Sequence, residues 1–118
     1  MNIEEYRDFC LSLIGCTEST PFGPDVLVFK VGGKMFSLCD IKTFERINLK
    51  SDPEKAIELR ERHAEITPGY HMNKEHWNSV DPRGSLKAEF IFRLTKDSYN
   101  LIVSSLPKKQ REPFLPLD

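Results

Sequence analysis

Two histidines, a lysine, two asparagines and the only tryptophan of the chain fall within eleven residues, Tyr70-His71-Met72-Asn73-Lys74-Glu75-His76-Trp77-Asn78-Ser79-Val80. These side-chain types hydrogen-bond, stack on bases and bind phosphate. The spacing His71-x4-His76 misses the i,i+4 step that aims two histidines of one helix at a zinc ion, and no third ligand stands nearby. No GxSxG turn is present to raise a nucleophilic serine. Gly32-Gly33-Lys34 lacks the other loop glycine and the Ser/Thr of a phosphate loop, and its lysine opens a strand instead of a helix. No catalytic residue, metal ligand or cofactor is therefore assigned, and the chain reads as a non-enzyme. Two readings of the segment remain compatible. Trp77 packs in the core, with His76 or Asn78 satisfying nearby backbone groups, while alternate neighbours such as Lys74 and His76 point outward with His71.

These residues belong to a chain of 118 residues, 39% hydrophobic and 30% charged, with a formal net charge of −1. That length predicts one domain over 1–118, which buries roughly two-thirds of its unfolded surface without needing a disulfide or a metal. No apolar run approaches the roughly 20 residues of a membrane span. The acidic start Met1-Asn2-Ile3-Glu4-Glu5 has no secretory character. Three cysteines, Cys10, Cys16 and Cys39, form no CxxC pair and fit a reducing compartment, so the cytoplasm is expected. Cys10 and Cys39 read as small buried hydrophobes, and no cation stands beside Cys16 to activate it. Charge is uneven: residues 26–50 carry Lys30, Lys34, Lys42, Arg46 and Lys50 against Asp40 and Glu45, while residues 1–25 are acidic.

The elements that must position these side chains follow from pattern. Asn2 caps a helix whose stripe is Ile3, Tyr6, Phe9/Cys10 and Leu13, ended by Gly15. Thr17–Phe22 is extended. Val26–Val31 and Lys34–Cys39 are strands joined by Gly32-Gly33, and Phe44–Leu49 alternates as a further strand. Ser51-Asp52-Pro53-Glu54 starts a second helix with Ala56, Leu59, Arg60 and His63 on one face. Thr67-Pro68-Gly69 breaks the chain. Beyond residue 80, Leu86, Phe90 and Leu94 form one helical stripe, and Thr95 or Asp97 caps another carrying Tyr99, Ile102, Val103 and Leu106. Pro107 ends it, and the basic stretch Lys108-Lys109-Gln110-Arg111 leads into a loose tail. This order argues for an α+β fold with helices packed on one face of an antiparallel sheet.

His71-Met72-Asn73-Lys74-Glu75-His76-Trp77-Asn78-Ser79-Val80, followed by Gly84-Ser85-Leu86 and Asp97-Ser98-Tyr99, resembles the signature of the MmcQ/YjbR family of small bacterial proteins. Pro21-Phe22-Gly23, Lys34-Met35-Phe36 and Leu49-Lys50-Ser51-Asp52-Pro53-Glu54 extend the resemblance over essentially the whole chain. It implies a frataxin-like two-layer sandwich and a DNA-binding role through a double-wing motif, with His71, Asn73, Lys74, His76, Trp77 and Asn78 as motif positions. The reading that joins residues and resemblance is a monomeric DNA-binding module without a membrane partner. Its expected contacts are Lys30, Lys34, Lys42, Arg46 and Lys50 on a basic sheet face, joined by His71, Asn73, Lys74, His76 and Asn78. The alternatives are a protein-interaction module, for which Phe22 and Tyr70 are exposed aromatics at turns, and a small-molecule or metal site walled by residues 71–78.

Overall fold

The computed structural model of the chain describes residues 1–69 and 72–115. Helix α1 spans Ile3–Ser12, with the Asn2 side chain accepting a hydrogen bond from Glu5 N at 2.9 Å. Strands β1 (Thr17–Ser19), β2 (Val26–Val31), β3 (Lys34–Asp40) and β4 (Ile47–Lys50) follow. Helix α2 (Pro53–Arg62) is capped by Asp52, and β5 (Ile66–Pro68) and β6 (Trp77–Val80) complete the strands. Helix α3 (Ala88–Ser105), a short helix α4 (Lys108–Arg111) and one 3₁₀ turn over Glu112–Phe114 close the described chain. The six strands form one antiparallel sheet in the order β1-β2-β3-β4-β6-β5.

Alternation along the strands gives the sheet two different faces. The inner face presents Leu27, Phe29, Val31, Cys39, Ile47, Leu49, Ile66 and Val80 to the helices, which contribute Tyr6, Cys10, Ile91, Leu94, Tyr99 and Ile102. Tyr6 is fully buried, and its hydroxyl lies 2.6 Å from Ser37 Oγ and 3.0 Å from Thr95 Oγ1, so one polar cluster joins α1, β3 and α3. The outer face carries a smaller cluster of Val28, Leu38 and Trp77, with Val26, Met35 and Met72 against it.

Several expectations are corrected here. Thr67-Pro68-Gly69 is not a plain break: Ile66–Pro68 forms edge strand β5, where the missing N–H of proline is tolerated. The last third is one 18-residue helix, not two, because Thr95 turns its hydroxyl back to Ile91 O at 2.8 Å instead of capping a new helix. The strand expected from Phe44 begins at Ile47. Phe44 takes a left-handed φ of 45° and turns its ring to within 5.8 Å of Tyr6. Burying an aromatic ring offsets the roughly 1–2 kcal/mol that such a conformation costs. Residues 107–115 are not loose either. A Cβ on Gly32 would lie 2.6 Å from Leu106 Cδ1, and Gly15 is covered by the Phe114 ring, so α4 is tied at both ends.

Candidate nucleic-acid interface

The turn before β6 builds the centre of the predicted site. Asn73 Oδ1 accepts from Glu75 N at 2.9 Å, and Asn73 O accepts from His76 N at 3.2 Å and Trp77 N at 2.9 Å. His76 O accepts from Ser51 N at 2.8 Å, which fixes the turn to the end of β4. Arg60 of α2 donates to Lys74 O at 3.2 Å and to Asn78 Oδ1 at 2.9 Å. Sequence reasoning placed Arg60 only on a helix face. No local signal reveals it as the brace of this turn, because its partners lie 14 and 18 residues away.

Asn78 is a correction. It points to the helix side, only 2% exposed, and its Nδ2 donates to Ala56 O at 3.2 Å. Trp77 takes the opposite, outer face beside Val28 and Leu38. The alternation was anticipated, but its phase is reversed relative to a tryptophan in the main core. Asn73 is occupied in shaping its own turn, Lys74 is exposed, His76 is half-buried, and His71 lies outside the described residues.

The five strand-region cations do not form one face. Lys30 pairs with Met35 and Lys50 with Trp77, so both lie on the outer face at the end of the sheet next to Gly32-Gly33. Lys34 pairs with the buried Val31 and therefore belongs to the inner pleat at the same end. Lys42 and Arg46 sit at the far end, where Lys42 lies 3.4 Å from Asp25 and Arg46 Nε 3.5 Å from Asp40. The anticipated single basic face is thus replaced by a basic end. Lys74 joins that end through the turn into Trp77, and the anchored α4 brings Lys108, Lys109 and Arg111 to it. Carboxylates of Asp52, Glu54, Glu75 and Glu112 share the region.

The thiols are not nucleophiles at neutral pH. Burial pushes Cys16 up to about 11 and Cys39 to about 12, and Cys10 is raised for the same reason. Among the described residues no group of three or more His, Cys, Asp or Glu side chains is arranged to hold a metal ion. No helix among them is long and apolar enough to cross a membrane.

A family model described as YjbR matches residues 11–101. A relative from Escherichia coli O157:H7, uncharacterized protein YbdF, is 43% identical over 97 residues, covering 81% of this chain and 80% of its own. Uncharacterized protein YjbR of Escherichia coli K12 is 31% identical over 113 residues, covering 95% and 96%. The crystal structure of a Deinococcus radiodurans protein with the family-model domain DUF419 superposes with a TM-score of 0.90 at 39% identity, covering 98% of this chain and 89% of that one.

Proposed function

The chain belongs to the YjbR family, and from that premise we propose that it is a non-catalytic module that holds the phosphate backbone of DNA at its basic end. One observation carries the reading: Lys30, Lys34, Lys50, Lys74, Lys108, Lys109 and Arg111 gather at the Gly32-Gly33 end of the sheet, drawn from five separate stretches of chain. Lysines on phosphate fix position without reading base edges, so the binding is independent of sequence. The four carboxylates at the same end reduce the seven cations to about three net positive charges, which gives a slope of log affinity on log salt of about −3. Binding of this kind is weak near physiological salt. The motif segment contributes its shape: the Asn73 turn and the Arg60 brace hold Lys74 beside Trp77.

Titration of a labelled duplex followed by fluorescence anisotropy, between about 50 and 200 mM salt, tests it. Affinity is expected to fall with that slope, and a Lys30→Ala, Lys50→Ala, Lys74→Ala variant is expected to lose about tenfold and to show a shallower slope. Absence of binding at the lowest salt, or an unchanged affinity in the variant, rejects the reading.

A further inference from the structure

The three long helices cover the sheet unequally. Helix α1 closes against α3, where the Phe9 and Phe92 rings stack at 4.4 Å. On the other flank α2 and α3 run antiparallel. Helix α2 leaves β4 at the Gly32-Gly33 end, and its C-cap His63 lies 5.0 Å from Phe90 near the start of α3. Helix α3 then returns to the Gly32-Gly33 end, where Leu106 meets Gly32. Between α2 and α3 runs a groove of about 520 Å³. Leu49, Ile66 and Val80 of the sheet floor it, and Leu59 and Leu94 line its inner walls. The α2 wall from Asp52 to His63 is about 16 Å long at 1.5 Å per residue, or three helical turns.

Charge on the rims is ordered. On α2, Glu58 pairs with Arg62 at 3.0 Å, and on α3, Arg93 pairs with Asp97 at 3.3 Å. Because the helices are antiparallel, both arginines fall at the His63–Phe90 end, and both acids fall one turn nearer the Gly32-Gly33 end. Each rim thus presents the same sequence of charge along the groove, stepped by about 6 Å, one helical turn. Exposed i,i+4 pairs contribute only about 0.3–0.5 kcal/mol to their own helices. The matched order on two separate walls describes what would lie between them.

We propose that this groove seats an amphipathic helix of a protein partner. The occupant has about three turns, apolar residues at i, i+3 or i+4, and i+7 against the floor, and flanking acids at one end with flanking lysines a turn away. A helix is the occupant because the charge step on the rims is one helical turn and the groove is apolar along its base. This inference is independent of the DNA-binding reading, since the groove is lined by different side chains from the basic end's lysine clusters on the hairpin, the Asn73 turn and α4.

Two labelled peptides of identical composition and a leucine apolar face test it, read by anisotropy and by amide shifts of the protein. In one, the glutamates flank one end and the lysines the other on both sides of the apolar stripe. In the second, one side of the stripe is all glutamate and the other all lysine. The first is expected to bind about tenfold more tightly, with shifts at Leu59, Leu94 and their neighbours. Arg62→Glu, Arg93→Glu makes the rims uniformly acidic at exposed positions (68–70% side-chain exposure), so the fold persists. It is expected to lose the first peptide and to gain one flanked only by lysines. Equal binding of the first two peptides, shifts confined to the outer sheet face, or no binding by about 1 mM overturns the proposal. So does a small apolar dye that fills the groove and that no peptide displaces.

Discussion

Asn78 shows what a single side chain can and cannot disclose. Its amide bridges β6 to α2, donating to Ala56 O at 3.2 Å and accepting from Arg60 at 2.9 Å, while 2% exposed. Removing it leaves a buried carbonyl and a guanidinium donor short of partners, and each such loss costs about 1–3 kcal/mol. Asn78→Ala is therefore expected to lower the urea midpoint by an amount in that range without a change in slope, while duplex affinity extrapolated to the folded state stays within about twofold. A large loss of affinity at unchanged stability would return Asn78 to the binding surface. The sequence places an asparagine beside a tryptophan on a strand and fixes them to opposite faces. Which face carries a helix layer is decided by α2, and α2 is not visible from the residue pair.

Among the elements, the connection from β6 to α3 is held by one carboxylate. Glu65, just before β5, accepts from Ser85 N at 3.0 Å and from the Ser85 hydroxyl, and its own carbonyl accepts from Asp81 N at 2.9 Å. The Ser85 hydroxyl bond, before any other cause, holds the Glu65 carboxyl below its ordinary range. A carboxyl lowered by folding stabilises above its unfolded value, about 4.3, and that stabilisation is lost as pH falls through the lower folded value. The melting-temperature gap between the native chain and Glu65→Gln is therefore expected to be constant above about pH 5 and to close below it. A gap that persists unchanged to pH 2 would mean that the carboxylate charge is not what the loop uses. The elements themselves were largely legible: α1, β2, β3 and α2 begin where Asn2, Gly32-Gly33 and Asp52-Pro53 place them. Those misread share one cause. Pro68, Thr95 and Asp97 carry breaking or capping propensity, and packing overrides it: Pro68 sits at an edge, Thr95 bonds Ile91 O, and Asp97 pairs with Arg93 within one helix.

At the scale of the whole molecule, a net charge of −1 conceals a polarised body. The acidic start of α1, with Glu4 and Glu5, is separated from the basic end by the length of the helix, whose C-terminal side meets Phe114 at Gly15. Lys42 and Arg46, at the far end of the sheet, lie against Asp25 and Asp40. Lys42→Ala, Arg46→Ala is accordingly expected to leave duplex affinity within about twofold and the salt slope unchanged, in contrast to the variant at Lys30, Lys50 and Lys74. A loss equal to that variant's would mean that DNA spans the whole outer face, as the strand charges alone suggested.

The sequence by itself determined the α+β class, the antiparallel meander around Gly32-Gly33, the caps at Asn2 and Asp52, the buried Cys10 and Cys39, and the family resemblance through residues 71–80. These are local or periodic properties, set by dihedral preference and by the spacing of apolar residues. The tertiary structure alone decided that Asn78 faces α2, that Arg60 braces the Lys74 turn, that α4 is anchored, and that the cations divide between two ends. Each of these depends on strand register and on contacts between residues distant in the chain. A shift of register by one residue would turn every side chain to the other face, and no short window of sequence carries that information.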